Sequence, residues 1–205
     1  MNIERIKELA AMKVIWPKDS ADIRKALCEY AEILEKKDHD PKVLDPCCGS
    51  RMFWFDPKNP IAVFVDNRVL HCEDIWKSSN NDSVRKCTVE PDVVSDFRNL
   101  PFESESFWHV VFDPPHLLNV GENAWMAKKY GKLPKDFKPY IKAGFDECWR
   151  VLKTNGTLVF KWNENDIRVS EILEAIGRKP LYGHKSGKQQ KTHWLVFFKE
   201  IHERL

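Results

Sequence analysis

No apolar run in this chain approaches the roughly 18 to 20 residues that a membrane-crossing helix requires. Met1 to Met12 mixes acidic and basic residues on a helical pattern instead of showing the layout of a signal peptide, so a soluble, cytoplasmic protein is expected. An excess of one charge is missing too. Lys and Arg total 33 against 31 Asp and Glu, a formal net charge of +2, so any affinity for nucleic acid has to come from local clusters. The six cysteines, Cys28, Cys47, Cys48, Cys72, Cys87 and Cys148, include no C-x-x-C pair, and the neighbours Cys47 and Cys48 are badly placed to bridge one another. Reduced thiols are therefore expected. His71-Cys72 has no second ligand pair at zinc-finger spacing, and no metal site is expected. The G-x-G-x-x-G signature is absent after the first strand-like run, which argues against a nicotinamide-binding domain. No internal repeat or low-complexity linker divides the chain.

What is present fits one domain. A length of 205 residues with 42% hydrophobic content, including 12 Phe and 8 Trp, is enough to bury a sizeable core. Residues 1–40 read as helical, with Ile3, Ile6, Leu9 and Ala10 at helix spacing and a second stripe of Ile23, Leu27, Tyr30, Ala31 and Leu34 beyond Trp16-Pro17. Residues 41–205 form the main domain. There a short continuous apolar unit recurs: Val43-Leu44, Ile61 to Val65, Val93-Val94, Trp108 to Phe112 and Thr157 to Phe160. Continuous runs, as opposed to alternating ones, predict parallel strands covered on both faces. Helices are predicted at Tyr140 to Leu152 and Val169 to Ile176, and the runs at Leu181-Tyr182 and Trp194 to Phe198 predict a terminal hairpin. The fold class expected is α/β: a doubly wound, mostly parallel seven-stranded sheet whose last strand is antiparallel.

Four of these strands run into an acidic residue: Asp45, Asp66, Asp96 and Asp113. One carboxylate at a strand end is ordinarily a turn former or a helix cap. Four in the same position mark the edge where doubly wound sheets bind ligands.

Taken together, residues 40 to 200 resemble the class I S-adenosylmethionine-dependent methyltransferases, and among them the enzymes that methylate exocyclic amines of nucleobases. Asp45-Pro46-Cys47-Cys48-Gly49-Ser50 resembles the family's D-P-x-x-G-x-G loop, which implies that its backbone N–H groups face the methionine part of S-adenosylmethionine. Arg51 replaces the second glycine, so a backbone conformation open to a side chain is expected there. The resemblance further implies that Asp66, next to Asn67, accepts the ribose hydroxyls, and that Asp96-Phe97 receives the adenine, the carboxylate taking its amino group and the ring covering the base. An R-V-L-K-x-x-G stretch from Arg150 to Gly156 closes a helix in the family, with Asn155-Gly156 as the left-handed turn.

Asp113-Pro114-Pro115-His116 resembles the family's [DNS]-P-P-[aromatic] motif. An exocyclic amine delocalises its lone pair into the ring, so it attacks a methyl sulfonium only when acceptors hold its N–H groups. The Asp113 carboxylate and the Pro114 carbonyl suit that work, and Pro115 stiffens the loop that aims them. His116, where the family favours Tyr, Phe or Trp, would stack on the base or relay a proton. Two basic stretches mixed with aromatics suggest nucleic-acid contact: one holds Lys128 and Lys129, the other Lys185, Lys188 and Lys191. The expected activity is transfer of a methyl group from S-adenosylmethionine to a nucleobase amine in DNA or RNA, adenine N6 first, with only Leu117 to Tyr140 free to recognise a target. The alternatives are methylation of a protein amide or a small molecule, and an idle subunit that binds cofactor or RNA beside an active partner.

Overall fold

The computed structural model describes residues 42–71, 76–77, 84–121 and 124–200. The helices expected in residues 1–40 lie outside the described residues, as do Cys28 and Cys72. The order of elements is β1 (Val43–Asp45), β2 (Ala62–Asp66), β3 (Trp76–Lys77), β4 (Val84–Arg85), β5 (Val93–Val94), β6 (Phe107–Phe112), α1 (Trp125–Tyr130), α2 (Phe137–Val151), β7 (Leu152–Asn163), α3 (Val169–Ile176), β8 (Tyr182–Ser186) and β9 (Thr192–Phe198).

Seven strands form one sheet in the order β5-β2-β1-β6-β7-β9-β8, and β3 pairs with β4 separately. β1 lies parallel to β2 and β6, β2 to β5, and β6 to β7. β9 enters antiparallel between β7 and β8, as the terminal hairpin requires. The continuous apolar runs explain the arrangement. Leu44, Phe64, Val65, Val110, Phe112, Leu158 and Phe160 are almost wholly inaccessible, which only strands covered on both faces achieve. The edge strand β5 is two residues long, and its Val94 is exposed.

α2 presents Ile141, Phe145, Cys148 and Trp149 along one buried stripe at helical spacing. The Phe145 ring meets Phe197 at 5.0 Å and Phe160 at 6.2 Å, joining the helix to two strands. α3 packs beside α2 and ends at Gly177 in the left-handed conformation, φ 70. A glycine is needed at Gly144, where a Cβ would come within 2.4 Å of the Phe97 ring.

One expectation about α2 is corrected. The helix ends at Val151, and Leu152 is already extended, with φ −73 and ψ 131, so Asn155-Gly156 does not close it. Leu152 is fully buried and pairs with Phe107, whereas the next pair is His109 with Thr157. β7 thus takes more residues than β6 over that stretch, and the surplus bulges with Asn155 at φ 64.

Parallel strands bring their carboxyl ends to one edge. Asp45, Asp66 and Asp113 stand there, and the order of strands reverses between β1 and β6, the switch point where such sheets bind ligands. Asn163 pairs with Thr192, so the hairpin turn at 187–191 lies at that same edge. No helix among the described residues is long and apolar enough to cross a membrane.

Candidate active site

The loop after β1 is held by hydrogen bonds within itself and to β2. The N–H groups of Cys47, Cys48, Gly49 and Arg51 donate to Asp45 Oδ1 (3.3 Å), Val65 O (2.9 Å), Asp66 Oδ2 (3.0 Å) and Cys48 O (2.8 Å). These amides were expected to face a ligand; they are satisfied within the protein instead, those of Cys48 and Gly49 by β2. Arg51 also departs from its expectation, because it adopts the left-handed conformation at φ 53 that glycine favours. Its guanidinium compensates: it donates to Pro57 O and Glu90 O, both at 2.6 Å, and to Asp92 Oδ1 at 2.9 Å, and it covers the Phe64 ring at 3.9 Å. Turns and bends follow the loop, so no helix N-terminus points at the site from residues 52–61.

Asp45 lies beneath this loop, 0% exposed, and accepts the Trp54 indole N–H at 2.8 Å. Burial pushes its carboxyl up to about 7, with smaller contributions from Asp113 and Asp66, while the bonds from Trp54 and Cys47 pull the other way. Asp45 holds the loop and lines neither of the cavities described next.

Two adjoining cavities occupy the switch point. One, of about 230 Å³, is lined by Phe53, Asp113, Pro114, His116, Lys129 and Lys161 among others. The second, of about 210 Å³, includes Pro46, Asp66, Asn67, Phe97, Pro115 and Tyr140. Cys47, Arg68, Asp113 and Tyr130 border both, so the two are halves of one groove. A larger hollow of about 610 Å³ opens on the other side of the Gly49-Ser50 turn, away from Asp66 and Asp113. Its Arg51 and Asp92 are bonded to one another.

Asp66, 5% exposed, is fully engaged. Arg68 donates to it from its backbone N (3.0 Å), Nε (2.9 Å) and Nη2 (3.0 Å), and Gly49 N adds a fourth bond. A carboxylate has about four acceptor positions, so a ribose diol reaches Asp66 only by displacing Arg68. Arg68 also donates to Lys128 O at 3.2 Å, which ties the segment after β2 to α1. Asp96 is similarly held by Arg98, whose guanidinium keeps the carboxyl below its usual range, and it does not line the groove. Phe97 does line it, braced edge-on by Phe112 at 5.4 Å and Tyr140 at 5.2 Å.

Asp113, at the end of β6, faces Lys161, whose Nζ lies 2.5 Å from Oδ2. That lysine was not singled out from sequence, although it directly follows the apolar run of β7, near the carboxyl end of that strand. Its ammonium lies 5.4 Å from the Phe53 ring centre and 5.6 Å from that of Trp194. His116 has Tyr130 at 6.0 Å and Trp162 at 6.4 Å, and burial lowers its pKa, so the imidazole is neutral near pH 7. The stretch after His116 is fixed by Asp166, which accepts from Leu118 N at 2.7 Å and Asn119 N at 2.9 Å.

Burial raises the Cys47 thiol far above its usual range and Cys48 to about 12, which excludes thiolate chemistry by either at neutral pH. No group of three or more metal-ligating side chains occurs among the described residues. Of the five lysines expected to touch nucleic acid, Lys129 lines the groove with its ammonium 5.0 Å from the Tyr130 ring. Lys128 is half-buried beside it, Lys185 lies 3.7 Å from Glu164, and Lys188 and Lys191 are exposed on the hairpin turn.

No protein-family model matches the chain, and no curated protein matches it in sequence. Among solved structures, the PH0226 protein of Pyrococcus horikoshii OT3 aligns over 95% of this chain and 99% of its own at TM-score 0.50 and 17% identity, a likeness of fold. A TehB-like SAM-dependent methyltransferase of Corynebacterium glutamicum aligns over 97% and 100% at TM-score 0.43 and 14% identity. A SAM-dependent methyltransferase of Leishmania major aligns over 95% and 82% at TM-score 0.44 and 10% identity.

Proposed function

We propose that this protein is an S-adenosylmethionine-dependent methyltransferase acting on an exocyclic amine of a nucleobase in DNA or RNA, adenine N6 first. The observation that carries the reading is Asp113-Pro114-Pro115-His116 at the end of β6, bordering both halves of a groove at the switch point of the sheet.

The side chains fit the cofactor by chemistry. Phe97 and Tyr140 offer aromatic surface to a purine, Asn67 offers an amide, and Asp66 offers acceptors to a diol once Arg68 moves. S-adenosylmethionine, when bound, supplies an electrophilic methyl group. The rest is the work of this chain. One N–H of the target amine donates to Asp113 Oδ1, the carboxylate oxygen that Lys161 leaves open by taking Oδ2. The Pro114 carbonyl accepts the second N–H, and the nitrogen lone pair is thereby freed for attack. The neutral His116, set among Tyr130 and Trp162, offers a flat face to the base. Asp113 receives the proton that leaves the methylated nitrogen.

The inward-facing loop amides and the filled Asp66 favour a second reading, an idle subunit that docks RNA or an active partner. One experiment separates the two. Incubation with tritium-labelled S-adenosylmethionine and pools of DNA, RNA or protein, followed by nucleoside analysis, is expected to give N6-methyladenosine or its deoxy form. Label in no pool supports the idle subunit, and label in protein alone moves the substrate to an amide.

A further inference from the structure

The Asp113–Lys161 pair sits where the reading above places methyl transfer, and that reading does not require the lysine. Its position is set by the sheet. β6 and β7 are parallel neighbours with Phe112 opposite Phe160, so the residues that follow each, Asp113 and Lys161, emerge side by side at the same edge. Lys161 pairs across the sheet with Trp194 on β9, and the Phe53 ring meets Trp194 edge-on at 6.0 Å. The ammonium is therefore held by one carboxylate oxygen and two aromatic rings, with both partners of the ion pair largely shielded.

We infer that Lys161 is a positioning residue that fixes the Asp113 carboxylate and cancels its charge, so that the site selects a neutral planar amine and rejects an alkylammonium. The chemistry follows from the pair. A lone carboxylate at this place would hold any cation, including a protonated lysine side chain or a polyamine, whose nitrogen has no lone pair with which to attack. With Lys161 bound to Oδ2, the pair carries no net charge, so an ammonium brought beside the sulfonium of bound S-adenosylmethionine meets repulsion from two cations with no uncompensated carboxylate to offset it. Oδ1 still accepts a hydrogen bond from a neutral N–H. Lys129, which borders the same cavity, adds to the positive potential that an incoming cation would meet, whereas Arg68 is neutralised by Asp66. Selection against ammonium substrates thus arises from a repulsive element as well as from the attractive one.

The inference rests on the cofactor reading, and two ligands keep the failures of the two apart. S-adenosylhomocysteine is neutral at the transfer position, whereas sinefungin carries an amine there that is cationic at neutral pH. Calorimetry gives the ratio of their dissociation constants for the wild type, Lys161→Met, Lys161→Arg, Asp113→Asn and the double variant. In Lys161→Met the ratio is expected to move about tenfold or more toward sinefungin, and in Asp113→Asn to move the opposite way. The double variant, again without net charge, and Lys161→Arg are both expected to lie near the wild type. A wild-type ratio in Lys161→Met, with Asp113→Asn still shifted, overturns the inference and leaves the cofactor reading standing. Failure of the wild type to bind either ligand overturns both. Should Lys161→Met not fold, the reversed shift in Asp113→Asn and the retained ratio in Lys161→Arg decide the matter, since a lysine that does not compensate charge predicts neither.

Discussion

Asp45 and Asp113 are carboxylates at the ends of adjacent strands, yet their surroundings give them different work. Asp45 is sealed under the loop with its carboxyl near pH 7, so in the folded protein it binds a proton that the unfolded chain, near the ordinary 3.8, has released. A raised acid pKa makes stability fall as pH rises through the window from about 4 to about 7. Asp45→Asn keeps an oxygen for the Trp54 indole and has no proton to lose. Relative to the wild type it is expected to gain up to about 4 kcal/mol between pH 4 and pH 8, read from denaturant titrations. Parallel stability curves would show that Asp45 titrates normally. Asp113 borders the groove on both sides, and its removal acts on chemistry instead. Asp113→Ala is expected to lower the methylation rate about a hundredfold or more and to leave S-adenosylmethionine affinity within a few fold, as measured by single turnover and calorimetry. An unchanged rate would place the chemistry elsewhere. Because burial keeps His116 neutral, His116→Phe should retain most of the rate without a new pH dependence.

Elements carry their own constraints. α2 approaches the sheet closely only because residue 144 lacks a side chain, and the ring it meets, Phe97, lines the groove. Gly144→Ala is expected to destabilise the fold by about 1 to 3 kcal/mol through overpacking and to shift Phe97, weakening cofactor binding at the same time. Thermal unfolding and calorimetry check the two effects, and loss of neither would mean that the ring yields freely. The loop after β1 shows how local sequence misleads. Its D-P-C-C-G-S-R spelling suggested amides aimed outward, but Arg51 found acceptors at Pro57, Glu90 and Asp92, the last two far from it in sequence. Those bonds allow a non-glycine residue at φ 53 and divert the chain into turns.

At the scale of the whole molecule, the sheet gathers one edge from distant segments. The hairpin turn bearing Lys188 and Lys191 lies at the edge where Asp113 ends β6, because β9 returns antiparallel beside β7. Replacing Lys185, Lys188 and Lys191 together by Gln should flatten the salt dependence of nucleic-acid binding, by up to about 0.9 in log–log slope for each phosphate that is no longer neutralised. An unaltered slope makes them a solvated surface. The strands of the main sheet, its parallel order with the antiparallel hairpin, and the place of Asp113-Pro114-Pro115-His116 directly after β6 were legible beforehand, whereas the β3–β4 pair was not. Continuous apolar runs and proline pairs are local signals whose meaning does not depend on distant residues. The pairing of side chains was not legible, because it depends on which strands become neighbours. Lys161 belongs to Asp113 only because β7 adds to β6, and the Gly49 amide fills an acceptor of Asp66 only because β1 lies beside β2. The sequence determined which groups reach the edge of the sheet; the tertiary structure decided which carboxylates remain open there, since an acceptor is open or filled according to the partners that the fold brings to it.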